Sequence, residues 1–269
     1  MQIWWINDNI FILVFSYYEE KNQNLINEGL KILHDTVKKL IDNPSSEDRY
    51  NFWSYININQ IDRGEHKLEF GEMGFISGLF KLFDNNELYC LKIRKKIMCY
   101  SCSKIKEDIY YNKCLINLDN KALISKDMSQ IINTKFLPSI TTCECVNNSE
   151  LMCSSVTYEI IKYPQFLFFI LDIEYVNYFQ YAQQLINLFV KNLKINNVEY
   201  KVRGVVCMPS ELHYTRYILN NNYNYLNLNL GKTLFHDGKK NNGYILELEI
   251  NLESILKNNI CYIIIISLD

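Results

Sequence analysis

Tyr200-Lys201-Val202-Arg203-Gly204-Val205-Val206-Cys207, then Leu212-His213-Tyr214-Thr215-Arg216-Tyr217-Ile218, then Leu234-Phe235-His236-Asp237 is the stretch on which the fold turns. The first two segments are rich in β-branched and aromatic residues and are separated by a polar break, which predicts a β-hairpin. That hairpin sets His213 at the start of its second strand and Asp237 at the end of a later apolar segment. An imidazole acting as base for a thiol needs a partner that accepts its other N–H, and a carboxylate is the common choice. His213 and Asp237 are therefore candidates for the base and orienter of a cysteine-protease site. The plainer reading of His213 is an ordinary half-buried histidine among aromatic residues. His236, next to the candidate aspartate, lies in a segment without a supporting pattern.

Outward from this stretch, composition bounds the answer. The chain has 269 residues, 48% of them hydrophobic and 22% charged, with only four prolines and nine glycines. That describes a folded protein able to bury a sizeable core. A net charge of −2 offers no long-range field for nucleic acid or an anionic membrane, so neither is expected as a partner. The apolar opening, Met1 to Tyr18, has no basic n-region or small-residue cleavage site, and Ile260 to Leu268 is too short to cross a bilayer. A soluble protein is expected. An odd count of nine cysteines without secretory context points to a reducing compartment, cytoplasm or nucleus, and to metal before disulfides.

Helical spacing of apolar residues runs from Asn7 to Asp42, and further helices are expected over Glu47 to Ile58 and Gly71 to Phe83. Strands are expected over Leu88 to Met98, Ile109 to Leu118, Met152 to Lys162, Gln165 to Val176, Ile186 to Ile195 and Tyr200 to Met208. Others follow over His213 to Leu219, Tyr223 to Leu230, Tyr244 to Ile250 and Cys261 to Leu268, with one short helix at Asp127 to Ile132. Helices first and a large, mostly antiparallel sheet afterwards is an α+β layout.

Cys99-x-x-Cys102 is followed by Cys143-x-Cys145, with Cys153 nearby as an alternative member of the second pair. A short-spaced pair on each of two hairpins supplies the four ligands of a structural zinc ribbon. The alternative is a set of core and surface thiols, since cysteine is often a small core residue.

Taken in order, the two cysteine pairs, Tyr163-Pro164-Gln165-Phe166-Leu167-Phe168-Phe169, Tyr200 to Val206, His213-Tyr214-Thr215-Arg216-Tyr217 and Phe235-His236-Asp237 resemble the signposts of the ubiquitin-specific proteases. The resemblance implies one papain-like domain: a helical thumb over 1–84, β fingers with a zinc ribbon over 85–163, and an antiparallel β palm over 164–269. It implies His213 as general base, Asp237 as its orienter, zinc on Cys99, Cys102, Cys143 and Cys145, and ubiquitin or a ubiquitin-like protein as partner. The sequence departs from the family at Leu212, where a glycine is usual, and at Gly238, where a second acidic residue is usual.

The family's nucleophile opens the first thumb helix, where the helix N-terminus stabilises a thiolate. Trp4-Trp5-Ile6-Asn7-Asp8 resembles that box, and aligned on Trp5 to Asn7 the cysteine position is Trp4. Indole has no ionisable group able to attack a carbonyl. The expectation is thus a pseudoenzyme that keeps His213 and Asp237, lacks the thiol, and binds ubiquitin or a ubiquitin-like partner. An active deubiquitinating cysteine protease is the second reading, and a scaffold that does not engage ubiquitin is the third.

Overall fold

The computed structural model describes residues 90–113, 115–124, 127–142, 152–174, 177–191, 193–210, 213–219, 233–237 and 245–268. The helices expected between Asn7 and Phe83, the strand expected at Tyr223 to Leu230, and Trp4, Asn7, Cys143 and Cys145 lie outside the described residues. Contacts divide the chain into two compact units. Among the described residues, Glu174–Ala182 and Val202–Ile265 belong to one, and Asn85–Ile173, Gln183–Lys201 and Ile266–Asp269 to the other.

In the second of these units a four-stranded sheet is built from β1 (Cys90–Cys99), β2 (Ile105–Lys113), β4 (Ser139–Thr142) and β5 (Met152–Lys162), in the order β2-β1-β5-β4. All its pairings are antiparallel. Between β2 and β4 lie β3 (Leu115–Asp119) and the helices α1 (Asn120–Ile124) and α2 (Met128–Asn133). The expected strand at Ile109 to Leu118 is therefore two strands with different partners. β3 pairs in parallel with β6 (Phe166–Asp172), whose run Phe166-Leu167-Phe168-Phe169-Ile170-Leu171 is buried throughout. Continuous burial of both faces is what an unalternating apolar run encodes. The short helix expected at Asp127 is α2, and Asp127 caps it by accepting from Ser129 N at 2.8 Å.

Ile186 to Ile195 is not a strand. Helix α3 (Tyr178–Ile186) continues into a π-helical turn over Asn187–Lys191, and only Lys194–Ile195 forms strand β7. The reason lies upstream: Tyr178, Ala182, Leu185, Ile186 and Phe189 recur at helical spacing and are all buried. Read from Ile186 onward, that stripe is cut in half and resembles a short apolar strand. Phe189 meets Phe169 edge-on, with ring centroids 5.3 Å apart. Asn196 and Asn197, with φ of 47° and 64°, form the two-residue hairpin from β7 into β8 (Val198–Ser210). Asparagine tolerates the left-handed region that such a turn requires.

In the first unit the sheet runs in the order β11-β10-β9-β8-β12, with β9 (His213–Leu219), β10 (Thr233–His236), β11 (Ile245–Leu248) and β12 (Cys261–Leu268). β9 and β12 have the bounds that alternation predicts. Helix α4 (Leu252–Asn258) was not legible as a separate element; Asn251 caps it by accepting from Ser254 N at 2.9 Å. The architecture is α+β with sheet predominating. No helix among the described residues is long and apolar enough to cross a membrane.

Candidate active-site face

His213 opens β9, paired with Ser210 of β8 beyond a bulge that separates Ser210 from Cys207. On the other side of β9, His236 of β10 pairs with Arg216. Asp237 follows at once, the first residue past the end of β10. The two candidate residues therefore lie at the start of β9 and just past the end of β10, on neighbouring strands. Asp237 is 3% exposed.

Strand alternation assigns positions 213, 215 and 217 of β9 to one face. Thr215 and Tyr217 are buried there, opposite Cys207 and Val205 of β8. Phe235 pairs with Tyr217, and their rings lie 5.0 Å apart. The Tyr217 hydroxyl donates to Asn259 Oδ1 at 3.3 Å, while Asn259 Nδ2 donates to the Ile255 carbonyl at 3.1 Å. Burial pushes the Tyr217 hydroxyl up to about 12; Cys207, Cys261 and Asp237 add to the rise, and the bond to Asn259 opposes it.

Two cysteines lie on this face. Cys207 and Cys261 place their sulfurs 3.5 Å apart, and the Cys261 thiol donates to the Asn259 carbonyl at 3.5 Å. Both residues are buried, and burial pushes the Cys207 thiol well up, away from the thiolate. Neither is disulfide-bonded. Tyr178 is fully buried nearby, its hydroxyl donating to the Leu256 carbonyl at 3.4 Å and raised in turn by burial.

The cysteine pairs meet the structure only in part. Cys99 ends β1 and is buried, and Cys102 lies exposed in the turn to β2. Cys99 N donates to the Lys104 carbonyl at 3.0 Å across that turn, and Ser103 takes φ 54°. Cys99 pairs with Ser154 of β5, and Thr142, the residue before Cys143, pairs with Met152. The register thus brings the Cys99–Cys102 turn and the chain leading to Cys143 to the same end of the sheet, flanking the start of β5. Cys153 occupies a β5 position between those two pairs. Among the described residues no three metal-ligating side chains converge.

Sequence reading missed Tyr217, Asn259 and Cys261. Tyr217 was available from the alternation that starts at His213. Asn259 and Cys261 sit at the junction of α4 and β12, and α4 carries too short an apolar pattern to stand out.

No protein-family model matches the sequence, and no curated protein matches it either. Solved structures do. The chain is similar to the Saccharomyces cerevisiae PAN2 pseudoubiquitin-hydrolase at a TM-score of 0.52 and 11% identity, over 99% of this chain and 80% of that one. It is similar to the Neurospora crassa Pan2 catalytic unit, a protease and nuclease domain, at 0.56 and 10%, over 96% of this chain and 52% of that one. A chain of the SAGA Ubp8/Sgf11/Sus1/Sgf73 DUB module bound to ubiquitin aldehyde matches at 0.50 and 15%, over 98% of this chain and 65% of that one. This chain thus spans 52% to 80% of the length of these three structures. The fold is ubiquitin-hydrolase-like.

Proposed function

We propose that this chain is a ubiquitin-hydrolase-like protein that binds ubiquitin or a ubiquitin-like protein and does not cut it. What supports this reading is that β9, which His213 opens, lies beside β10, which Asp237 follows, and that Cys207 and Cys261 are buried. A base and its orienter are retained, while the thiols behind them are closed to a substrate carbonyl and, at Cys207, held protonated by burial. With Trp4 at the aligned nucleophile position, the chemistry lacks its first step. One solved neighbour is itself described as a pseudoubiquitin-hydrolase, and another was solved bound to ubiquitin aldehyde.

The four-stranded sheet offers the binding surface. Ile105, Met98, Ser155 and Ile140 follow one another across β2, β1, β5 and β4 by register, and the three apolar members are 54%, 39% and 60% exposed. On the same face Arg94 pairs with Glu159 at 2.7 Å and with Glu107 at 4.0 Å, and Lys96 pairs with Glu107 at 3.8 Å. An apolar row bordered by charged residues is a common form of protein-binding surface. Titration of the full chain with mono-ubiquitin and with linked chains tests the proposal. Saturable binding supports it, and no detectable binding favours a scaffold that does not engage ubiquitin.

Zinc on Cys99, Cys102, Cys143 and Cys145 is part of the same proposal. The donor set is chemically suited to a structural zinc, and the Cys99–Cys102 turn lies at the end of the sheet where β4 ends at Thr142. When bound, the ion would tie the β1–β2 turn to the chain that follows β4, a purely structural role. Zinc content near one per chain supports it; less than that, with these cysteines modifiable in the native protein, removes it.

A further inference from the structure

We propose that β2 is the interface of a two-fold dimer, pairing antiparallel with β2 of a second copy of this chain and centred on Ile109. β2 stands at the end of the strand order β2-β1-β5-β4, and among the described residues its partner is β1 alone. It runs nine residues, Ile105–Lys113, in unbroken register with β1. From Ile105 to Asn112 every residue is exposed except Tyr110, which is half-buried, and Ile109 is 56% exposed. Native edge strands are commonly kept short, bulged or covered, because an open edge is a template for another strand. β2 is long, regular and open.

Charged residues guard some edges, but the acidic pair of β2 is offset from behind. Glu107 is met by Lys96 at 3.8 Å and by Arg94 at 4.0 Å, and Asp108 stands opposite Lys95 of β1. The sequence then selects its own copy as the occupant. A two-fold axis between antiparallel strands continues the pleat only when it passes through a residue position, because side chains alternate with period two. Centring on Glu107 or Asp108 sets two carboxylates directly opposite each other, which is destabilising. Centring on Ile109 overlaps all nine residues, so that Ile109 meets its copy, Asp108 meets Tyr110, Glu107 meets Tyr111 and Lys106 meets Asn112. No like charges are opposed there, each carboxylate is matched with a tyrosine, which carries a hydroxyl donor, and an apolar pair lies on the axis. Centring on Tyr110 avoids like charges too, but pairs fewer residues. In the Ile109 register the two four-stranded sheets become one continuous sheet.

Sedimentation velocity of the full chain over a concentration series tests the proposal. The wild type should show a species of twice the chain mass that dissociates on dilution. Ile109→Lys and Ile109→Glu should each sediment as monomer, because each sets like charges on the axis. Both should stay folded by circular dichroism, since the position is exposed. An equal mixture of the two variants should regain the dimer, with lysine opposite glutamate, a result that neither misfolding nor an interface elsewhere produces. A wild type that is monomeric at every concentration overturns the proposal and leaves the β2 edge to a different protein. A dimer that either variant keeps, or a mixture that stays monomeric, overturns it as well.

Discussion

The sulfurs of Cys207 and Cys261 lie 3.5 Å apart, buried on the face of the sheet that also carries Thr215 and Tyr217. Two thiols in contact would ordinarily invite a nucleophilic role. Burial argues the other way: it closes both sulfurs off and, at Cys207, favours the uncharged thiol over the thiolate that attacks. Native protein at neutral pH should therefore resist alkylation by iodoacetamide at Cys207 and Cys261, which react only after unfolding. Peptide mapping of alkylated native protein checks this, and rapid native labelling of Cys207 would contradict it.

Tyr217 makes a pH prediction. Its hydroxyl is raised from 10.0 to about 12 in the folded chain, so the folded state holds that proton more tightly than the unfolded state does. The stability this confers is present in full below pH 10.0 and is lost as pH rises toward about 12. Tyr217→Phe should show a flatter loss of stability over that window than wild type in denaturant titrations. At neutral pH the same variant forfeits the bond to Asn259, a cost of about 1 kcal/mol.

The core of the second unit depends on Phe169, fully buried in β6 and stacked edge-on against Phe189. Phe169→Ala should destabilise the fold by about 3–5 kcal/mol, measured by urea unfolding.

Asn197 sits at φ 64° in the hairpin between β7 and β8. Asn197→Ala should cost about 1–2 kcal/mol, because a Cβ without a local hydrogen-bonding group disfavours the left-handed region. Asn197→Gly should be close to neutral in the same unfolding assay.

Met98→Glu and Ile105→Glu place charge in the exposed apolar row while touching no core residue. Each should weaken ubiquitin binding about tenfold or more, the scale of a central interface contact. The melting temperature should stay within about a degree of wild type, as expected for exposed positions.

Much of the sheet structure was legible because its strands signal themselves locally. His213–Leu219 and Cys261–Leu268 have the bounds that alternation and apolar runs predict, and Met152–Lys162 likewise. The error at Ile186 came from a window that began halfway along a helical stripe whose first member is Tyr178. His213 and Asp237 were legible as candidate residue types, but that β9 and β10 lie side by side depends on strand pairing. That is a non-local fact no single-strand pattern encodes. Asn259 and Cys261 joined the site for the same reason, through pairing of β8 with β12 rather than through any motif of their own.

The most direct test of the central claim is hydrolysis of a fluorogenic ubiquitin C-terminal amide by the full chain, beside the variant His213→Ala. The account predicts release no faster than in buffer for both proteins. Turnover by the wild type that disappears in His213→Ala would contradict it, and would make this chain an active deubiquitinating enzyme.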